Sequence, residues 1–221
     1  MKTKIAVIVF PGSNCDHDAY YVLKEIFGVD VNFIWHKETS LRNYNAILIP
    51  GGFSYGDYLR TGAIARFSPI MDSVIRDSRK GKPIIGICNG FQILLECGLL
   101  PGALINNKEI KFLSKNVMLR VASNESIFSN KLNIDQQLKM PIAHRQGNYI
   151  ADEDVIKRLI DDGRIVFKYK NNPNGSMVDI AGICNKDGNI LGMMPHPERA
   201  CEAILGSADG KMIFESMLAN I

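Results

Sequence analysis

Two short segments of this chain carry side chains that could together perform acyl transfer. The first, Gly86–Gly90, reads Gly-Ile-Cys-Asn-Gly and has Cys88 at its centre. The second reads Pro-His-Pro-Glu and places His196 two residues before Glu198. A thiolate attacks carbonyl carbons, and a histidine held by a carboxylate can take up and return the proton. These residues therefore predict a cysteine nucleophile with a His–Glu pair to activate it.

Cys88 stands between an apolar run, 83–88, and a helical pattern that begins at Phe91. A nucleophile on a sharp strand-to-helix turn needs glycine two residues before and two residues after it, because the turn leaves no room for side chains. Such a turn puts the sulfur at a helix N-terminus, where unpaired N–H groups favour the thiolate. The alternative is a buried structural cysteine, and the flanking glycines favour the nucleophile.

His196 has a proline on each side, at positions 195 and 197. Proline disfavours helix, so the segment should be extended, and residues two apart in an extended chain point to one face. Glu198 could then hold the imidazole. The alternatives are a surface His beside a surface Glu, and a zinc site of the deaminase kind. The deaminase motif also requires a downstream Pro-Cys-x-x-Cys, which is missing here, so we expect no metal in this chain.

A third segment, Gly51-Gly52-Phe53, follows the apolar run 46–50. Glycines at the end of a strand allow backbone N–H groups to approach a ligand closely. The N–H of Gly52 or Phe53, paired with that of Asn89 just after the nucleophile, could form an oxyanion hole. The alternative is an ordinary tight turn. The remaining four cysteines lack an adjacent base and are interpreted as structural: Cys15, Cys97, Cys184 and Cys201.

The elements that must position these groups follow from the apolar pattern. Four short apolar runs end in turn or polar residues and predict buried strands: 5–10, 29–35, 46–50 and 83–88. Helical patterns at 16–27, at 63–79 and after Cys88 separate some of them. Buried strands that alternate with helices indicate a parallel sheet. We expect an α/β fold with a doubly wound, mostly parallel sheet flanked by helices, a flavodoxin-like three-layer sandwich.

The second half of the chain has a different pattern, with shorter connections between apolar runs. Strands are predicted at 117–122, 138–144, 165–169, 177–184 and 190–194, and a closing helix at 208–220. Asn185–Asn189 has the composition of a hairpin turn between the last two strands. This pattern predicts an antiparallel extension of the sheet. We expect a single domain over residues 1–221.

Composition narrows the functional classes. The chain has 221 residues and a net charge of +3 without a block of like charges, which gives no indication of nucleic-acid binding. Its five cysteines lack Cys-x-x-Cys spacing, so neither a disulfide framework nor a zinc ribbon is indicated. The apolar run near the N-terminus is too short to span a membrane and lacks a cleavage site. We expect a cytoplasmic protein with no membrane partner.

The three motifs, in this order, resemble those of the class I (triad-type) glutamine amidotransferases. The residues around them are most similar to the family of separate-chain glutaminase subunits of phosphoribosylformylglycinamidine synthase, and this likeness runs from Ile5 to the final helix. It rests on four segments: Gly-Gly-Phe-Ser-Tyr-Gly-Asp-Tyr-Leu-Arg at 51–60, Cys-Asn-Gly-Phe-Gln at 88–92, Pro-Ile-Ala-His at 141–144 and Met-Pro-His-Pro-Glu-Arg at 194–199.

The resemblance implies that Cys88 attacks the side-chain amide of glutamine, with His196 as general base and then general acid, oriented by Glu198. It implies oxyanion stabilisation by Gly52 or Phe53 and by Asn89, and substrate positioning by Gln92. It also implies that ammonia passes to a synthetase subunit, which uses ATP and Mg for a step of purine synthesis, and that a small subunit bridges the two. No cofactor is expected in this chain itself.

One departure from the family stands at Arg145-Gln146, where Pro-Ile-Ala-His is usually followed by Gly-Glu-Gly. The cation could pair with an acidic group of a partner or stay solvated. Two other functions remain open at this point: a Cys-elbow hydrolase of the deglycase or peptidase kind, and an inactive glutaminase-like regulatory subunit. The first lacks the late Pro-His-Pro-Glu, and the second usually loses the Cys or the His.

Overall fold

A nine-stranded mixed sheet runs through the protein. The structure, a computed structural model, describes residues 3–221. Over those residues the strands, in chain order, are β1 (Lys4–Val9), β2 (Asp30–Trp35), β3 (Ala46–Ile49), β4 (Ile84–Ile87), β5 (Ala103–Ile105), β6 (Leu113–Val121), β7 (Gln137–His144), β8 (Asn148–Ile150), β9 (Ile165–Tyr169), β10 (Ile180–Cys184) and β11 (Ile190–Met193). The sheet order is β2-β1-β3-β4-β11-β10-β9-β6-β7, and β5 pairs with β8 separately.

The first half of this order is parallel and the second half antiparallel. Strands β2, β1, β3, β4 and β11 run parallel to one another. From β11 onward, β10, β9, β6 and β7 pair antiparallel. Strands β3, β4 and β11 are buried at every residue and consist of apolar side chains and glycine, as expected for strands covered on both faces. The predicted α/β class with an antiparallel extension is confirmed.

Five α-helices accompany the sheet within residues 3–221: α1 (Asp16–Tyr21), α2 (Pro69–Ser78), α3 (Asn89–Glu96), α4 (Glu153–Asp161) and α5 (Lys211–Leu218). Helix α1 packs on β1 and β2, and α3 packs on β3, β4 and β11. Helix α3 is buried at every residue from 89 to 95, and only Asn89 and Gln92 among these are polar. It therefore holds the segment after Cys88 firmly against the centre of the parallel sheet.

The structure corrects three of the predicted elements. The single helix expected at 63–79 is a 3₁₀ turn followed by α2, because Ser68 precedes Pro69 and is extended (ψ 139°). The helix expected at 16–27 becomes a π-helical turn after Tyr21. The strand expected from Met177 begins at Ile180, since Val178 and Asp179 have positive φ. Helix α4 is an element that the sequence pattern does not predict.

Candidate active site

The parallel register brings the two reactive segments to one edge of the sheet. Strands β4 and β11 are neighbours, with Gly86 opposite Gly192 and Ile87 opposite Met193. The Cys88 N–H donates to the Met193 carbonyl at 2.8 Å, and His196 follows three residues later. Because the carboxyl ends of parallel strands meet at one edge, Cys88 and His196 lie together although 108 positions separate them in the sequence.

The turn at Cys88 is sharp and strained. Cys88 has φ 50° and ψ −105°, outside the regions that L-residues favour, and is the residue just before α3. A Cβ at position 86 would lie 2.5 Å from Leu94 Cδ1, and a Cβ at position 90 would lie 2.0 Å from the Ile49 carbonyl oxygen. The predicted steric need for glycine on both sides is thus confirmed.

Replacing Gly90 by alanine should therefore destabilise the fold more than a glycine replacement in open space. The added methyl meets the backbone of β3, which cannot move aside, and we expect a cost of about 3 kcal/mol. Gly98 provides the matched control, because it has φ 68° and nothing within 4 Å of a Cβ. Gly98→Ala should cost about 1 kcal/mol from backbone strain alone. Urea unfolding measures both values, and equal costs would contradict close packing at Gly90.

His196 and Glu198 form a buried pair. Nδ1 of His196 lies 2.6 Å from Oε1 of Glu198, and both side chains are almost fully buried. A carboxylate can only accept, so Nδ1 carries the proton and donates. Burial by itself lowers the pKa of His196, but the charge of Glu198, together with nearby Cys88 and Cys15, raises that pKa well above its usual value. The neutral imidazole is therefore held as the tautomer with its proton on Nδ1. The raised pKa also favours the charged ring, in which Nε2 is protonated as well.

Cys15, which the sequence pattern indicates to be structural, lies next to this pair. It is buried in the turn between β1 and α1, where Arg199 Nη2 donates to its Sγ at 3.1 Å. Burial raises the pKa of the Cys15 thiol. A Cβ at position 51 would lie 2.8 Å from His196 Cε1, 3.1 Å from Cys15 Sγ and 3.3 Å from Cys88 Cβ. The absence of a side chain at Gly51 thus lets all three residues converge.

The backbone donors near Cys88 differ in availability. The Phe53 N–H donates to the Gly12 carbonyl at 3.1 Å, so it is already engaged. The Gly52 N–H has no acceptor within residues 3–221. Asn89 is the first residue of α3, so its N–H has no acceptor within the helix. Of the backbone N–H groups of Gly52 and Phe53, only that of Gly52 is free among the described residues, so the geometry favours Gly52 as the partner of the Asn89 N–H in an oxyanion hole.

The side chains of Asn89 and Gln92 belong to a hydrogen-bonded chain. Asn89 Oδ1 accepts from the Ser54 N–H at 3.1 Å, and Asn89 Nδ2 donates to Gln92 Oε1 at 2.9 Å. Gln92 Nε2 donates to the Gln146 carbonyl at 2.7 Å. Thr61 Oγ1 donates to Gln146 Oε1 at 2.8 Å. Asn89 and Gln92 therefore join α3 to the loops that contain Ser54 and Gln146, and the unusual Gln146 is part of this chain.

A cavity of about 400 Å³ opens in front of the thiol. Its wall contains Gly52, Phe53, Asp57, Thr61, Cys88, Gln92, Asn106, Ala143, His144, Arg145 and Gln146. Two of these residues carry opposite charges, Asp57 and Arg145. Oδ1 of Asp57 is buried and has no hydrogen-bond partner within the described residues, and burial raises the pKa of this carboxyl group to about 6. Arg145 thus lines the cavity, whereas the sequence alone indicates only that it lies on a loop.

His144 forms part of the same wall and is held by Asn107. The Asn107 Nδ2 group donates to the carbonyls of Lys111 and His144, which fixes its amide, and Oδ1 accepts from the Gly147 N–H. His144 Nδ1 lies 3.1 Å from that oxygen and must donate. Burial, followed by the charge of His196, lowers the pKa of His144 to about 4. His144 is therefore neutral at physiological pH.

The lowered pKa of His144 predicts a loss of stability in acid. The unfolded histidine, with a pKa near 6.5, binds the proton more tightly than the folded one. Its contribution to the free energy of unfolding is therefore present above pH 6.5 and is lost as the pH falls toward 4, by about 3 kcal/mol. Urea unfolding of the wild type and of His144→Gln at pH 6.5 and pH 4 should show a smaller decrease for the variant. Equal decreases would contradict the neutral, buried imidazole.

Comparison with known proteins gives a family and several related structures. A family model described as CobB/CobQ-like glutamine amidotransferase domain matches residues 2–212. A chain of PurLQS from Thermotoga maritima is 44% identical with a TM-score of 0.92, over 100% of this chain and 99% of that chain. A candidate GMP synthase subunit from Thermoplasma acidophilum is 21% identical with a TM-score of 0.68, over 99% of this chain and 94% of that chain.

A glutamine amidotransferase from Thermotoga maritima is 16% identical with a TM-score of 0.60, over 100% of this chain and 84% of that chain. These last two similarities support the fold alone. Within residues 3–221, no helix has the length and apolar character required to cross a membrane.

Proposed function

We propose that Cys88, His196 and Glu198 release ammonia from glutamine. The chain belongs to the family of CobB/CobQ-like glutamine amidotransferase domains. One observation carries this assignment. A strained cysteine at a helix N-terminus and a buried His–Glu pair meet at one edge of the sheet, in front of a cavity of about 400 Å³. A cavity of this size accommodates an amino acid substrate.

The reaction begins when the Cys88 thiolate attacks the side-chain amide carbon of glutamine. The N–H groups of Gly52 and Asn89 stabilise the oxyanion that develops. His196 gives its proton to the leaving ammonia, and the glutamyl group remains on Cys88 as a thioester. His196 then takes a proton from water, and the water oxygen attacks the thioester to give glutamate and release Cys88 as the thiolate beside the imidazolium. Glu198 keeps Nδ1 protonated throughout, so that Nε2 faces the reaction.

The charges of the cavity fit the backbone part of free glutamine. A free amino acid carries an ammonium and a carboxylate group, and the wall offers the carboxylate of Asp57 and the guanidinium of Arg145. Asp57 has a buried oxygen without a partner within residues 3–221, so an ammonium would satisfy it. We propose that Arg145 binds the substrate carboxylate and that Gln92 holds the wall of the cavity in place.

The chain is the glutaminase component of an ATP-dependent ligase, phosphoribosylformylglycinamidine synthase. A related chain that is 44% identical to this one over 99% of its own length belongs to PurLQS. We propose that the ammonia passes to a synthetase subunit that uses ATP and Mg, that a small third subunit bridges the two, and that the complex works in the cytoplasm. This chain has no Gly-Lys-Ser/Thr phosphate-binding loop.

The deglycase or peptidase function and an inactive regulatory role are not favoured, since the family match and the complete Cys–His–Glu set support the glutaminase.

The isolated chain should hydrolyse glutamine slowly, and the synthetase complex should accelerate it several-fold. Ammonia released without an acceptor is lost, so activity is expected to depend on the partner. Steady-state assays of glutamate formation with and without the synthetase subunit measure the ratio, and the Cys88→Ala chain corrects for contaminating glutaminase. Rapid hydrolysis that the partner does not change would contradict the proposal. Peptide hydrolysis in place of glutamine hydrolysis would instead support the peptidase alternative.

A further inference from the structure

We propose that Cys15, His196 and Glu198 form an inhibitory site for a thiophilic divalent metal ion, with Zn²⁺ as the representative ligand. The inhibition rests on the proposed glutaminase function, because the ion would take two of the three residues assigned to the chemistry. The metal site itself rests only on geometry. Cys15 is the residue that distinguishes this site from the triad, since glutamine hydrolysis leaves its thiol unused.

The three side chains already converge. One sulfur, one imidazole nitrogen and one carboxylate oxygen lie within 4.8 Å of one another, and all three residues are buried. A zinc ion with bonds of about 2.0–2.3 Å keeps its ligand atoms roughly 3.5 Å apart. Side-chain shifts of about one ångström would therefore close the site around an ion. Gly51 allows Cys15 and His196 to lie this close together, because a Cβ at that position would lie 2.8 Å from His196 Cε1 and 3.1 Å from Cys15 Sγ.

The ligand atoms have bonding capacity to spare. Oε2 of Glu198 and Nε2 of His196 are buried and lack hydrogen-bond partners among residues 3–221. A buried polar atom without a partner is costly, and a cation would satisfy the carboxylate oxygen directly. A thiolate, an imidazole and a carboxylate together form a donor set that suits zinc, with water as the fourth ligand.

The charges also balance. The Cys15 thiolate and the Glu198 carboxylate neutralise a divalent ion. Binding releases the proton of the thiol and one proton of the His196 imidazolium. Arg199 supports that thiolate, because its Nη2 donates to Cys15 Sγ at 3.1 Å while its Nε donates to Asp18 at 2.9 Å. Cys15 Sγ also faces Asn14 Oδ1 at 3.1 Å, a contact made by the protonated thiol. Loss of that proton therefore exchanges the contact with Asn14 for a bond to the metal.

A bound ion would stop the reaction without touching Cys88. It would engage one imidazole nitrogen and separate Glu198 from its role in orienting the ring, so His196 could neither accept nor return a proton. Removal of the ion by a chelator would restore the pair. Free zinc would then inhibit the glutaminase reversibly, and the rate of ammonia release would depend on the concentration of free zinc in the cell.

Cobalt titration tests the site independently of activity. Co²⁺ bound to a thiolate gives a sulfur-to-metal charge-transfer band, and one equivalent should bind to the full-length wild-type chain. Cys88→Ala and Cys184→Ala, another buried cysteine on β10, should retain the band. Cys15→Ala should lose the band and bind at least about 10-fold more weakly. Cys15→Ser, which preserves size, should lose the band as well, and thermal unfolding establishes that both variants are folded.

Zinc inhibition completes the test. With each variant normalised to its own metal-free rate, the zinc concentration for half inhibition should be at least about 10-fold higher in Cys15→Ala than in the wild type. Absence of the cobalt band, loss of the band in Cys88→Ala, or unchanged zinc inhibition in Cys15→Ala would overturn the proposal. A wild-type chain that binds cobalt through Cys15 but has no glutaminase activity without metal would instead overturn the proposed function.

Discussion

Cys88→Ala is expected to abolish glutamine-dependent synthesis by the complete complex, by a factor on the order of 10⁴ or more. The thiolate is the only group proposed to form the covalent bond to the substrate, and alanine leaves the amide carbon without a nucleophile. The strain at Cys88, with φ 50° and ψ −105°, is set by its neighbours, so alanine should adopt the same turn. Glutamate formation and product formation from glutamine are the measurements.

Synthesis from added ammonia is the control for this variant. Ammonia bypasses amide cleavage, so the Cys88→Ala complex should use it as well as the wild-type complex does. Equal loss of both activities would contradict the assignment, because it would mean that Cys88 supports the synthetase or the assembly of the complex. Retained glutamine-dependent synthesis would show that another residue is the nucleophile.

Glu198→Gln should leave the fold intact and lower the glutaminase rate on the order of 10²-fold or more. The buried carboxylate accepts from Nδ1 of His196 at 2.6 Å and stabilises the charged imidazole. An amide of the same size can present its NH₂ group to Nδ1, which favours the wrong tautomer. The loss should fall mainly in kcat, since the glutamine cavity does not include Glu198.

The pH profile of Glu198→Gln distinguishes positioning from general damage. The charge of Glu198 contributes to raising the pKa of His196, so its removal should lower that pKa. The alkaline limb of kcat/KM, where the imidazolium loses its proton, should then move to lower pH. A reduced rate with an unchanged alkaline limb would mean that Glu198 acts only through the packing around it. An unchanged rate would mean that another group orients His196.

The sequence predicts the sharp turn at Cys88 because a local pattern encodes it. The glycines at 86 and 90 follow from the steric demands of the turn, and those demands are visible in the clashes that a Cβ would make with Leu94 and Ile49. The prolines around His196 predict extended chain, which is confirmed only at His196 (φ −101°, ψ 90°), because Pro197–Arg199 forms a 3₁₀ turn with Pro197 at its first position. Buried strands such as β3 and β4 are evident as apolar runs, and their parallel pairing follows from the alternation with helices.

The features that the sequence does not reveal depend on contacts between distant segments. Cys15 is not on a nucleophile elbow in the sequence, and only the packing of the turn after β1 against Gly51 and Arg199 places it beside His196. Its position after the first parallel strand is an available signal, because that strand ends at the same edge of the sheet. Likewise, the Phe53 N–H is excluded as a free donor only by the position of the Gly12 carbonyl.

One error has a local cause that propensity alone underestimates. The break between the 3₁₀ turn at Ala65–Phe67 and α2 comes from Pro69, which forces Ser68 out of the helical region. The sequence indicates a loop cation at Arg145, with a choice between a partner and solvent, yet this residue lines the cavity. Its location depends on the approach of the end of β7 to Cys88, whose Sγ lies 3.7 Å from the Ala143 carbonyl oxygen, and no periodicity within residues 138–146 predicts that approach.

Covalent labelling by a glutamine analogue with an electrophilic side-chain carbon identifies the nucleophile. We expect one label per chain, attached to Cys88 and to none of the other four cysteines, when the intact protein and its peptides are analysed by mass spectrometry. Excess glutamine should protect Cys88, and Glu198→Gln should slow the labelling. A label on Cys15 or elsewhere, or no label on a folded chain in complex with its synthetase, would contradict the proposed glutaminase site.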